Sequence, residues 1–115
     1  MLEGEIRILG TSAGAGIPAE FCQCEICREA MKRQGKDIRT RTSLMIGDRN
    51  KIDMPPDTFC QMTTYKIDLA KLQNLLITHN HGDHFNPGYL GIYAHPYTTV
   101  LEKDKVLHVY FNESA

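Results

Sequence analysis

The run His79-Asn80-His81-Gly82-Asp83-His84 follows the apolar segment Leu75-Leu76-Ile77-Thr78 without a break and puts four metal-capable side chains within six residues. Leu75 to Thr78 has the compact apolar character of a strand buried on both faces. If the backbone stays extended through His81, the two-residue period of a strand points His79 and His81 to one side at its carboxyl end, where they can grip one ion together. Gly82 permits a tight turn, after which Asp83 and His84 emerge where a second ion could be held. Such a ligand-rich loop suits a dinuclear site with ions about 3.5–4 Å apart. A lone histidine here would read as a polar loop with local hydrogen bonds. Three histidines and an aspartate at this spacing favour a metal site.

The 115 residues fit one domain, residues 1–115, able to bury roughly 65% of its unfolded surface. Lys and Arg total 13 against 14 Asp and Glu, a net charge of -1. That balance disfavours nucleic acid as a partner bound by bulk electrostatics. The longest aliphatic run, Leu75-Leu76-Ile77, falls far short of the ~20 residues a membrane span needs. The acidic start Met1-Leu2-Glu3-Gly4-Glu5 lacks the basic region and cleavage site of a secretory signal. Three of the four cysteines stand at positions 22, 24 and 27, too close for an unstrained disulfide. Thiols or thiolates in a reducing cytoplasm are therefore expected.

Along the chain, Glu5–Leu9 alternates polar and apolar residues and reads as a half-buried strand ending at Gly10. The loop Gly10-Thr11-Ser12-Ala13-Gly14-Ala15-Gly16 invites a phosphate-loop reading, but no Lys-Ser/Thr follows it. Glu25 to Gln34 is a helix with a basic last turn and Gly35 as its left-handed cap. Thr42–Ile46, the turn Gly47–Asn50 and Lys51–Asp53 form a hairpin, and Asp57 caps a short helix over Thr58–Thr63. Lys66 to Asn74 is open between a helical turn and a loop. Asn86 with Pro87 starts a further helix that ends near His95-Pro96, and Val106–Phe111 is a last strand. This order of strands and helices indicates α/β or α+β layering.

Cys22-x-Cys24-x-x-Cys27 is a second candidate site. Three thiolates at about 2.3 Å would fill three corners of a tetrahedral zinc, and a fourth ligand would close it as a structural site. Cys60, His95 and His108 are weak candidates for that ligand; three free thiols or a redox pair at Cys24 and Cys27 are the bland alternatives. Asp53 ends a short strand before Met54-Pro55-Pro56-Asp57, where it could orient a metal-ligating imidazole or simply be a solvated hairpin end.

At these residues the sequence resembles the metallo-β-lactamase superfamily. Thr78-His79-Asn80-His81-Gly82-Asp83-His84-Phe85 matches its metal-binding signature, and Lys51-Ile52-Asp53-Met54-Pro55-Pro56-Asp57 looks like the strand and acidic motif that precedes it. The first strand with its glycine loop and the cysteine cluster are similar to the branch that contains the cyclic phosphodiesterase of phosphonate degradation. The resemblance implies the N-terminal half of an αββα sandwich with two zinc or manganese ions. His79 and His81 would serve one ion, Asp83 and His84 the other, with Asp53 as support and a structural zinc at Cys22, Cys24 and Cys27. It implies hydrolysis of a small phosphodiester or cyclic phosphate by a hydroxide held between the ions.

Family members typically run to more than twice this length and supply further ligands downstream, so the chain is expected to be the N-terminal half of a larger hydrolase, weak in metal and activity alone. A half-fold would expose a sheet, and homodimerisation is the corresponding expectation. The alternatives are another superfamily hydrolysis, of tRNA 3′ ends, thioesters or lactones, and a non-catalytic zinc-binding or interaction module.

Overall fold

The chain reverses over Gly47-Asp48-Arg49, where Gly47 takes φ 61°, a left-handed conformation that glycine enters without a Cβ clash. In the computed structural model, which describes residues 4–86, 88, 90, 101–102 and 105–112, this turn joins β2 (Ser43–Ile46) to β3 (Asn50–Ile52) in the expected hairpin. The other described elements are β1 (Ile6–Gly10), α1 (Glu25–Arg33), α2 (Thr58–Tyr65), β4 (Asn74–Leu76) and β5 (His108–Tyr110). They build a mixed sheet in the order β1-β2-β3-β4-β5, antiparallel across the first three strands and parallel from β3 to β5. Parallel neighbours need a crossover, and α2 with a short 3-10 turn at Leu69–Lys71 supplies the one between β3 and β4. The architecture is α+β.

Register decides which residues are buried. Arg7, Met45, Lys51, Leu75 and Val109 stand side by side across the five strands. Their face carries the core, where Met45 and Leu75 pack with Leu9, Met54, Leu72 and Ile77. Arg7 donates from its guanidinium to the Tyr65 carbonyl at the end of α2. The opposite face bears Ile8, Leu44, Ile52, Leu76 and Tyr110 in register. The expectation that β4 is buried on both faces fails here: Leu75 is fully buried, but Leu76 is 41% exposed, because among the described residues the packed core lies on one side of the sheet. In β1, likewise, the apolar residues Ile6 and Ile8 are exposed, whereas Leu9 enters the core.

Element ends depart from expectation for local reasons. Cys24 is the N-cap of α1, its sulfur accepting from the Cys27 N–H, and the helix stops one residue early with Gln34 as its C-cap, followed by Gly35 at φ 58°, the positive φ expected of it. Asp57 precedes α2 without a side-chain capping bond, because Arg41 engages both its oxygens. The last strand contracts to three residues. The helix expected from Asn86 to His95-Pro96 falls largely outside the described residues, as does His95. No described helix is long and apolar enough to cross a membrane.

Candidate metal centre

Because β3 and β4 run parallel, their carboxyl ends lie side by side, and the segments that leave them meet. In open α/β sheets this is where ligand sites are built. Asp53 leaves β3 and donates its N–H to Leu76 O at 2.8 Å. One residue on, Met54 donates to His84 O at 2.7 Å and accepts from Asn86 N at 3.0 Å, which ties the ligand loop to the strand end. Asp53 itself holds φ 62°, a left-handed conformation that Asp tolerates better than most residues at some cost. Three partners on its carboxylate hold it there.

That carboxylate is 2% exposed. Its Oδ1 accepts the Thr78 N–H at 2.7 Å, its Oδ2 is 2.7 Å from Thr78 Oγ1, and Oδ2 is 2.6 Å from His84 Nδ1. An ionised carboxylate only accepts, so the Thr78 hydroxyl donates to it and His84 carries its proton on Nδ1. Thr78 Oγ1 also lies 3.0 Å from His79 Nδ1; with its own proton given to Asp53, the hydroxyl accepts there. Both imidazoles thereby hold a proton on Nδ1 and present the Nε2 lone pair.

The ligand atoms of His79, Asp83 and His84 lie within 4.8 Å of one another. His84 Nε2 is 3.2 Å from Asp83 Oδ2, so a lone pair faces a carboxylate oxygen and only a cation or a proton between them makes the pair favourable. The set of two imidazole nitrogens and a carboxylate suits zinc or manganese. His81 stands apart from this trio. It is exposed, its ring centroid lies 4.7 Å from that of His79, and its carbonyl closes the turn by accepting from His84 N and Phe85 N. The loop after β1 also reaches the site: a Cβ on Gly14 would stand 3.9 Å from the Asp83 carboxyl carbon.

Arg41 holds that loop. Its Nε donates to Gly14 O at 3.1 Å, Nη2 meets Glu20 Oε1 at 2.7 Å, and Nη1 meets Asp57 Oδ1 at 2.9 Å. These anions hold the Arg41 guanidinium pKa above its ordinary value, Glu20 leading, against partial burial.

The thiols of Cys22, Cys24 and Cys27 form a second trio, also within 4.8 Å. Backbone N–H groups point at each sulfur: Cys24 N at Cys22 Sγ (3.5 Å), Cys27 N at Cys24 Sγ (3.4 Å) and Ala19 N at Cys27 Sγ (3.5 Å). The Cys27 N–H, helped by the neighbouring thiols, brings the Cys24 thiol down to about 7. The Ala19 N–H pulls Cys27 the same way, but Cys22, burial and Cys24 outweigh it and leave that thiol raised. Among the described residues no fourth donor joins the trio. Cys60 sits on α2 beside Thr64, and His108 lies on β5 beside Tyr110.

Thr78 and Arg41 escaped the sequence reading. Thr78 had a signal, a hydroxyl directly before the first ligand; Arg41 had none, because its three partners are 16 to 27 residues away.

The mixed sheet is α+β, and its architecture is that of part of the metallo-β-lactamase fold, the fold of the solved structures that superpose on it. Two solved structures of that fold superpose on it. One is a diphosphatase from the PhnP family, with a TM-score of 0.69 and 24% identity over 95% of this chain and 41% of that one. The other is zinc-bound PqqB from Methylobacterium extorquens, with a TM-score of 0.63 and 22% identity over 96% of this chain and 48% of that one. The chain thus spans less than half the length of each. No protein-family model matches the sequence, and no curated protein does.

Proposed function

We propose that the chain is part of a metal-dependent hydrolase whose substrate is a small phosphodiester. The observation that carries this is the convergence of His79, Asp83 and His84, with both imidazoles oriented through the buried Asp53 and Thr78. That one solved neighbour is a diphosphatase and the other holds zinc supports metal chemistry and a phosphoryl substrate. His79, Asp83 and His84 would hold one ion, and His81 is the imidazole left for a second; zinc or manganese suits both, and zinc suits the thiol trio.

A bound divalent ion supplies Lewis acidity, bringing the pKa of a coordinated water to about 7 and neutralising charge on phosphoryl oxygens. The chain supplies orientation. Asp53 keeps the His84 proton on Nδ1, Thr78 does the same for His79, and Arg41 holds the Gly14 segment beside Asp83.

The test is metal analysis of the zinc- or manganese-loaded protein together with a chromogenic phosphodiester assay, on wild type, His81→Ala and His84→Ala. Bound metal with turnover that falls to background in the variants supports the hydrolase. Metal without turnover supports a second reading, a zinc-binding module without catalysis. Wild-type protein that takes up no metal overturns both.

A further inference from the structure

Three polar residues are buried together at the end of β3: Lys51 and Ser43 are 1% exposed and Asp53 is 2% exposed. Position 51 lies in the core row between Met45 and Leu75, where an aliphatic side chain would pack without desolvating a charge. With a lysine there, burial outweighs the attraction of Asp53 and lowers the ammonium pKa to about 8. Local rules of folding are broken in this way chiefly where a site uses the exception.

Lys51 Nζ donates to Ser43 Oγ. An ammonium has no lone pair with which to accept, so the one hydroxyl proton of Ser43 is left for the carbonyl oxygens of Ile52, at 2.9 Å, and Asp53, at 3.0 Å. Those carbonyls belong to the two peptide units that flank the Asp53 Cα, and the setting of these two planes is what φ and ψ of Asp53 describe. Asp53 holds φ 62°, a left-handed conformation that a residue with a Cβ keeps only when its surroundings enforce it. Bringing both carbonyl oxygens to one hydroxyl crowds two negative ends. The ammonium behind that hydroxyl offsets their repulsion and polarises the donor. The side chain of the same Asp53 accepts from Thr78 N and lies 2.6 Å from His84 Nδ1.

We infer that Lys51 is a positioning residue of the candidate metal centre: through Ser43 it fixes the backbone of Asp53, and with it the carboxylate that orients His84 and Thr78. Its effect on metal affinity rests on the metal site proposed above, whereas its effect on the His84 tautomer does not.

Lys51→Met, which keeps the length of the side chain and removes the charge, tests this together with Ser43→Ala and the double variant. In metal-free protein, long-range proton-nitrogen correlation NMR of neutral His84 is expected to show the proton on Nδ1 in wild type and a mixture of both tautomers in Lys51→Met. Manganese titration is the second readout, because carboxylates suit manganese whereas thiolates select softer ions. Lys51→Met is expected to raise the manganese dissociation constant about three- to tenfold, less than the roughly 10–100-fold typical of removing an orienting group itself, while the urea midpoint rises. A lysine that served packing alone would move affinity and stability in the same direction. Lys51 and Ser43 act in one line, so the double variant should lose less than the product of the two single losses. If circular dichroism shows Lys51→Met unfolded, Ser43→Ala decides by the same tautomer and manganese readouts. An unchanged His84 tautomer or wild-type manganese affinity in folded Lys51→Met overturns the inference, and fully multiplicative losses in the double variant overturn the route through Ser43. A wild type that takes up no manganese overturns the metal reading alone, and the tautomer then decides the role of Lys51.

Discussion

An Asn at position 53 would bring a donor where Thr78 N, Thr78 Oγ1 and His84 Nδ1 all require an acceptor. Asp53→Asn is therefore expected to weaken metal binding by about 10–100-fold, read by isothermal titration calorimetry with zinc. Thr78→Val should act in the same direction through His79 alone, and Thr78→Ser should restore wild-type affinity because only the hydroxyl is needed. Lys51 presents the opposite problem, a charge in the core. It is 1% exposed between Met45 and Leu75, and its ammonium has the Ser43 hydroxyl as partner. Burial pushes its pKa down from 10.5 to about 8, against the pull of Asp53. The unfolded chain then binds more protons than the folded one between these values, so stability should rise as pH climbs from about 8 to about 10.5. Below that window the penalty is in full force, on the order of 3 kcal/mol. Lys51→Met is expected to stabilise the fold by about 1–3 kcal/mol at pH 7 and to flatten the alkaline rise; urea denaturation at pH 7 and pH 9.5 measures both.

At the scale of elements, Arg41 joins segments that no secondary structure connects. It is bound to the loop after β1 through Gly14 and Glu20 and to the start of α2 through Asp57, with both Arg41 and Asp57 largely buried. Arg41→Ala would strand the Asp57 carboxylate, and a loss of roughly 3 kcal/mol in urea unfolding is expected. Arg41→Lys should recover only part, because an ammonium cannot reach three acceptors in fixed directions. The hairpin, α1 and the β4 segment were legible from turn chemistry and hydrophobic period. The missing cap at Asp57 was not, since an acidic residue before a helix reads as a cap unless the distant arginine that claims it is known. The face of β1 was equally hidden: its alternation shows that two faces differ, and says nothing about which is covered.

For the molecule as a whole, a ligand that binds only the folded chain stabilises it by mass action. With zinc at about a hundred times its dissociation constant, apparent stability should rise by about 2.7 kcal/mol. Thermal melts with and without a chelator are the check, and a melting temperature indifferent to both would remove metal from the fold's energetics. The sequence by itself determined the donor chemistry, because His79, Asp83 and His84 are held within one turn whose geometry is local, and Cys22, Cys24 and Cys27 within one helix start. Tertiary structure alone decided what those donors work with. Pairing β3 with β4 carries Asp53 across 25 residues to Thr78 and 31 to His84, and among the described residues packing the core on one face leaves Ile8, Leu76 and Tyr110 exposed. Periodicity records a residue's neighbours along its own strand, whereas which strands pair and which face is covered depend on long-range burial.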